Sequence, residues 1–237
     1  MDSTSNTKLK ICQWNARGCK NKNVEIRNFL NHYNIDILLL SETLLTEKTK
    51  FKIPGYRVYR TDKIVIDEED EDENKKSSNG TAVIIKNGIK NYEIVINNLE
   101  SLEASAVNIK ANGETLTIIS AYRSPSTSFN KNDLDTIFQI SPKVFAAGDY
   151  NGKNRAWGSR VNNTYGNKLL NYSVETGIDV SAPDTPTHYP SCKNGRPKKP
   201  DIIDFALTKN FNYKIDDVWF FRSAIFTAGI MSRSVWG

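Results

Sequence analysis

The chain has 237 residues, of which 38% are hydrophobic and 25% charged, with 32 Lys and Arg against 27 Asp and Glu. That is long enough to bury a sizeable core and too mixed for a collagen-like, coiled-coil or wholly disordered protein. No apolar run approaches the ~20 residues of a membrane-spanning helix, Met1 to Lys10 lacks a secretory apolar region, and Cys12, Cys19 and Cys192 match neither a disulfide framework nor a zinc pattern. The expectation is a reduced, intracellular protein that is not secreted, with no membrane and no obligatory protein partner. Its net charge of +5 hides an asymmetry, because Asp67 to Glu73 is an unbroken run of seven acids. Outside that run 32 basic residues face 20 acidic ones, a body suited to a polyanion such as nucleic acid, or simply to staying soluble.

In chain order, Leu9 to Trp14 and Ile35 to Leu40 read as strands, with Ile26, Phe29, Leu30 and Tyr33 at helical spacing between them. Pro54-Gly55 turns the chain into a strand at Tyr56 to Arg60. The acidic run and Ser77-Ser78-Asn79-Gly80 read as a loop insertion, 67–79. Strands follow at Ala82–Ile85, Tyr92–Ile96, Ala104–Ile109 and Thr115–Ala121, with Asn87-Gly88 and Asn112-Gly113 as hairpin signals. A helix at Asp133–Phe138, a strand at Val144–Ala147, a helix at Lys168–Thr176, a Pro-rich loop from Pro183 to Pro200 and a strand at Ile202–Leu207 complete the pattern. Many strands, few helices and no repeat predict one mixed α/β layered domain with substantial antiparallel sheet.

Four apolar strands end on a polar residue: Asn15 after Trp14, Glu42 after Ser41, Asp149 and Asn151 after Gly148, and Asp204 within Asp201-Ile202-Ile203-Asp204-Phe205. Oxygen side chains converging at strand ends suit a hard cation such as magnesium, which takes few protein ligands. Each also has a bland reading: Asn15 capping its own turn, Glu42 opening a helix, Asp149 in a turn, Asp204 paired with a lysine. Two histidines, His32 and His188, exclude a histidine-rich metal site, and no P-loop, Rossmann or nucleophile-elbow motif occurs.

The ordered series Gln13-Trp14-Asn15, Leu40-Ser41-Glu42-Thr43, Ala121-Tyr122-Arg123-Ser124-Pro125, Gly148-Asp149-Tyr150-Asn151 and Asp201 to Phe205 resembles the endonuclease/exonuclease/phosphatase superfamily. Asn154-Arg155-Ala156-Trp157-Gly158-Ser159 and Leu102-Glu103-Ala104 make it similar to the apurinic-type endonuclease domain of non-LTR retrotransposons, of the Jockey and R1 type. The likeness covers roughly Lys8 to Asn210. It implies a four-layered α/β/β/α sandwich of two facing, largely antiparallel sheets. It also implies a magnesium-dependent phosphodiesterase, with manganese as an alternative metal, that nicks double-stranded DNA in the nucleus to prime reverse transcription. By the same resemblance Glu42 and Asn15 belong to the metal. Asp149, Asn151, Tyr122 and Asp204 form the catalytic set, and Arg17, Arg123, Asn154, Trp157 and His188 meet DNA. The domain is expected over 8–221. The family ends its catalytic set with Ser-Asp-His on a strand beside that of Asp204. This chain instead has Arg222 to Gly237, without Asp, Glu, Lys or His, which reads as an aberrant tail. An impaired nickase and a catalytically dead DNA-binding remnant both remain open, while a phosphatase or sphingomyelinase fits the basic body and the Trp157-Gly158 signature less well.

Overall fold

The structure, a computed structural model, describes residues 9–65, 76–77, 79–111, 113–190, 199–211, 218–222 and 232–234. The acidic run, Cys192, Ile225-Phe226 and Val235-Trp236 lie outside them. The chain begins with β1 (Ile11–Asn15), α1 (Asn23–Tyr33) and β2 (Ile37–Ser41), the two strands pairing in parallel. Helix α1 buries Ile26, Phe29 and Leu30 on one face, as the spacing predicts, and ends at Asn34 in the left-handed region (φ 50). After β3 (Tyr56–Thr61) come two short strands, β4 (Ile64–Val65) and β5 (Lys76–Ser77), then β6 (Thr81–Lys86) and β7 (Asn91–Ile94). The long strands β8 (Leu102–Ala111) and β9 (Glu114–Arg123) lead to α2 (Lys131–Gln139), β10 (Val144–Asp149), α3 (Thr164–Thr176), β11 (Asp179–Ser181), β12 (Asp204–Lys209), β13 (Val218–Arg222) and β14 (Ser232–Ser234).

Two six-stranded sheets result, in the orders β14-β13-β1-β2-β6-β3 and β11-β12-β10-β9-β8-β7. Strand alternation sorts the core into three apolar layers. Ile11, Ile37, Leu39, Val83 and Ile85 of the first sheet meet Val107, Ile118, Phe145 and Ala147 of the second. The residues between them in sequence, Cys12, Trp14, Leu38, Leu40 and Ile84, face α1. On the far side Ala106, Ile119 and Ala146 face Leu134, Ile137 and Phe138 of α2 and Leu169 of α3. The expected α/β/β/α sandwich is what forms. No helix among the described residues is long and apolar enough to cross a membrane.

Two local expectations are corrected. Asn87-Gly88 is not a hairpin turn: β6 already has β2 and β3 on its two edges, so the chain passes to the second sheet, where β7 pairs with β8. β8 and β9 do form a hairpin, with Ala111 opposite Glu114 and Gly113 at φ 79, while Asn112 lies outside the described residues. Lys76 and Ser77, expected in a loop, pair with Val65 and Ile64 as an antiparallel stem. The first sheet continues into the tail, because β13 extends through Arg222 and Ser232–Ser234 adds an antiparallel edge to it.

Candidate active site

Register assembles the site. Across β8, β9, β10 and β12 the successive partners are Glu103, Tyr122, Asp149 and Asp204. Across β1, β2, β6 and β3 they are Asn15, Ser41, Thr81 and Thr61. Each shares the strand parity of the inner apolar residues, so the two polar rows face one another at one end of the sandwich. Gly148 is what lets β10 lie so close to β9 here, since a Cβ at that position would stand 1.8 Å from the Ala121 carbonyl oxygen.

Asn15, with no exposed surface, joins the two sheets. Its Nδ2 donates to Glu42 Oε1 (2.7 Å) and to Asp149 Oδ2 (2.9 Å), while its Oδ1 accepts from the Arg17 backbone N–H (3.2 Å). That orientation is forced, because two carboxylates need a donor and an N–H needs an oxygen. Asn15 therefore holds the two acids together through its amide N–H groups. Glu42 sits in no helix; it occupies the left-handed region (φ 51), as Leu44 does (φ 50). Tyr122 stands close enough to Glu42 to feel its charge. Burial first, then the charges of Glu42, Asp149 and Glu103, push its phenol above the usual range.

β10 stops at Asp149, so strand alternation does not carry Asn151 to the same face. Asn151 turns at φ 48, and its backbone N–H donates to Asp149 Oδ1 (3.0 Å) while its side-chain amide donates to the Arg123 carbonyl (2.9 Å). Asp204 is 1% exposed, and neither of its oxygens makes a hydrogen bond of good geometry. Burial, followed by the charge of Asp149, raises its carboxyl well above the ordinary aspartate range; the nearby Thr187 and Gln13 side chains lower it by less. The lysine pairing considered for Asp204 belongs instead to Asp201, whose Oδ2 lies 3.0 Å from Lys153 Nζ.

β12 and β13 lie in different sheets, so the strand next to β1 faces Asp204 across the sandwich and is not its neighbour in a sheet. The position beside Asn15 in the first row is that of Arg222. His32 is exposed on α1 against Tyr33, and the His188 backbone forms a bridge with Asp201. Cys12 and Cys19 are buried thiols, the first raised well above its usual range and the second pushed up to about 12, both by burial; neither is poised as a nucleophile.

Three of the five residues expected at DNA are corrected. Arg123 follows Tyr122 directly and so points to the opposite face of β9. It is 3% exposed, donates to the carbonyls of Tyr150 (2.8 Å) and Thr127, and stacks over the Tyr165 ring at 4.0 Å. Asn154 is buried as the cap of a 3-10 turn, accepting from Ala156 N–H and donating to Asn167. Trp157 is core, 5.2 Å from the Phe205 ring. Arg17 is exposed and His188 half-buried, so both keep access to solvent.

Sequence reasoning missed the hydroxyls that stitch the rows. Ser41 Oγ donates to the Ala121 carbonyl (3.0 Å), Ser120 Oγ to the Leu40 carbonyl (2.7 Å), and Thr81 meets Ser105 at 2.8 Å. It also missed Thr187, whose Oγ1 accepts from the N–H groups of Ile203 and Asp204. The signal for Ser41 was present: a lone hydroxyl on the inner parity of an otherwise apolar strand.

A family model described as the Endonuclease/Exonuclease/phosphatase family matches residues 12–226. Similar proteins include "Probable RNA-directed DNA polymerase from transposon BS" of Drosophila melanogaster, 28% identical over 200 residues, covering 84% of this chain and 21% of that protein. "RNA-directed DNA polymerase from mobile element jockey", from the same organism, is 27% identical over 201 residues, with 84% and 21% covered. The chain thus spans about a fifth of the length of these relatives. Among solved structures, the "Endonuclease domain of TRAS1, a telomere-specific non-LTR retrotransposon" superposes with a TM-score of 0.69 at 17% identity, over 96% of this chain and 98% of that one. The AP endonuclease LMAP from Leishmania major gives 0.63 at 13% identity, over 97% and 88%. These structures share the fold, and with a family match running from β1 through the end of β13, the chain belongs to the Endonuclease/Exonuclease/phosphatase family.

Proposed function

We propose that this chain is a DNA-nicking endonuclease domain of the non-LTR retrotransposon type, acting on double-stranded DNA with a divalent cation. The observation that carries the reading is the bridge from Glu42 through Asn15 to Asp149, which joins two acids from different sheets at the open end of the sandwich. Among the described residues no three His, Cys, Asp or Glu side chains close on one point. Magnesium does not need such a cage, since it takes one or two carboxylates and keeps its waters. Glu42 is the protein ligand that fits, half-buried and held by the Asn15 amide. A bound cation supplies charge at the phosphoryl oxygens of the transition state.

The chain's own residues do the rest. Asp149, fixed by Asn15 and the Asn151 N–H, positions a water or takes its proton. Asn151 has one side-chain N–H on the Arg123 carbonyl and directs the other to a phosphate oxygen. The basic body holds the duplex by phosphate contacts that position without specifying sequence, Arg17 among them.

A second reading, a domain that binds DNA but nicks it weakly or not at all, is favoured by Asp204. In the family this acid holds an imidazole. Here its oxygens lack well-formed partners among the described residues: His32 lies on α1 against Tyr33, and the His188 imidazole makes no hydrogen bond to them. Gel shift and plasmid nicking on one preparation separate the two. Magnesium-dependent nicking, however slow, that is abolished by Glu42→Gln supports the first; binding without nicking selects the second. Nicking that survives Glu42→Gln or chelation overturns the metal assignment. Deleting Asp67–Glu73 removes seven charges that repel phosphate, so non-specific binding should tighten several-fold at low salt. Weaker binding after the deletion would contradict the basic-body account.

A further inference from the structure

Glu42 and Leu44 both hold left-handed backbone conformations, which persist in non-glycine residues only where the surroundings over-determine them. Two backbones clamp this segment. On one side Gly18 N–H donates to the Glu42 carbonyl (2.8 Å) and Cys19 N–H to that of Thr43 (2.9 Å). On the other, Thr43 N–H donates to the Gly80 carbonyl (3.1 Å) and Leu44 N–H to that of Asn79 (2.8 Å). The second clamp is itself left-handed at both residues, Asn79 at φ 56 and Gly80 at φ 84. A Cβ at Gly80 would stand 2.6 Å from Thr43 Oγ1, so the two segments are in close contact.

One carboxylate fixes the second clamp. Glu103 Oε2 accepts from Gly80 N–H (2.7 Å), and its Oε1 accepts from Asn79 Nδ2 (3.1 Å) and Lys63 Nζ (2.9 Å). Its side chain is 12% exposed, and it is the partner of Tyr122 in the cross-strand row. The charge of Glu42 is in turn among those that raise the Tyr122 phenol. Glu103 thus bears on the Glu42 segment through the Asn79-Gly80 backbone.

We propose that Glu103 is a positioning residue for the metal-binding carboxylate Glu42, acting through the Asn79-Gly80 backbone; the proposal rests on the metal reading above. The plainer alternatives are that Glu103 only tethers the stem of β4 and β5 through Lys63, or that it acts on a cation only through its charge. Binding of Mn2+ to the full chain, read from the loss of the free-ion EPR signal, separates these, with Tm measured on every variant. Glu103→Ala should weaken Mn2+ binding about tenfold, the scale on which supporting groups act on a metal site. In a Glu42→Gln background the same substitution should have no further effect, since its route to the metal is gone. Gly80→Ala, which changes no charge, should also weaken binding. Glu103→Gln keeps an acceptor for Gly80 N–H and should lose less than Glu103→Ala.

A tether alone predicts a lower Tm with unchanged Mn2+ affinity, and a charge effect alone predicts a full second loss in the Glu42→Gln background. Either result overturns the proposal, as does parental affinity in Gly80→Ala. Should Glu103→Ala fail to fold, Gly80→Ala and Glu103→Gln decide by the same criteria. Glu42→Gln with parental affinity is a separate outcome, because it removes the metal reading itself.

Discussion

The layer between the two sheets has two ends built from the same strands on the same parity, and they differ in almost everything else. At the apolar end Ile37, Val83, Ile118 and Phe145 have no exposed surface and make only packing contacts. At the polar end the same strands present Ser41, Thr81, Ser120 and Asp149, equally buried but linked by directed hydrogen bonds. The apolar end tolerates no loss of volume but has no preferred direction. The polar end fixes direction, at a desolvation cost that hydrogen bonds offset only where each donor meets an acceptor. Asp204 and the Gln13 side-chain oxygen are where that offset is incomplete. A site that must turn carboxylates toward a substrate is expected to carry such a deficit, and a core is not.

The largest test of the contrast is Phe145→Ala. The ring is fully buried and lies 5.2 Å from that of Phe211, so its removal should cost about 3–5 kcal/mol of stability in urea unfolding. A loss under about 1 kcal/mol would mean that the apolar end does not dominate stability. Asp204→Asn should act in the opposite sense, stabilising by about 1–3 kcal/mol at neutral pH. The sign follows from the raised carboxyl pKa, which makes the folded chain keep a proton that the unfolded chain releases. The stability tied to that proton is fully present below about pH 4, the ordinary aspartate range, and is lost as pH rises toward the folded value. The gap between variant and parent should therefore widen upward from about pH 4. A gap that is flat with pH, or widest in acid, would show that Asp204 is not held protonated.

The same contrast explains how much was legible beforehand. Continuous apolar runs announced β1, β2, β6, β9, β10 and β12 to within a residue or two, because strands buried on both faces leave an unbroken apolar stretch in the sequence. The polar ends of those strands were legible for the same reason, and the structure brings Asn15, Glu42, Tyr122, Asp149 and Asp204 to one end of the sandwich. Adjacency in a motif was the misleading signal. Arg123 next to Tyr122, and Trp157 shortly after Asn151, look like site residues when read linearly, yet alternation sends the first outward and packing takes the second into the layer under α3. Asn87-Gly88 failed because a turn sequence fixes a local bend and cannot reveal that both edges of β6 are already occupied. The orientation of the Asn15 amide was equally out of reach, since it depends on two acids 27 and 134 residues away.

Ser41→Ala tests the polar end itself and should have the smallest effect. Ser41 Oγ donates to the Ala121 carbonyl and accepts from Gln13 Nε2 (3.3 Å), so alanine leaves one buried donor and one buried acceptor less well satisfied. The expected loss is about 1–2 kcal/mol, below that of Phe145→Ala although both residues are fully buried. The neighbouring stitch, Ser120 Oγ to the Leu40 carbonyl, joins the same two strands one residue away in each. Either hydroxyl alone can hold β2 against β9, so the double variant Ser41→Ala, Ser120→Ala should lose more than the sum of the single losses. The coupling should also appear in Mn2+ affinity, because Glu42 follows Ser41 directly and moves with the end of β2. Strict additivity in stability together with parental Mn2+ binding would reduce the stitches to ordinary buried hydrogen bonds, and the polar end would then orient its acids through Asn15 alone.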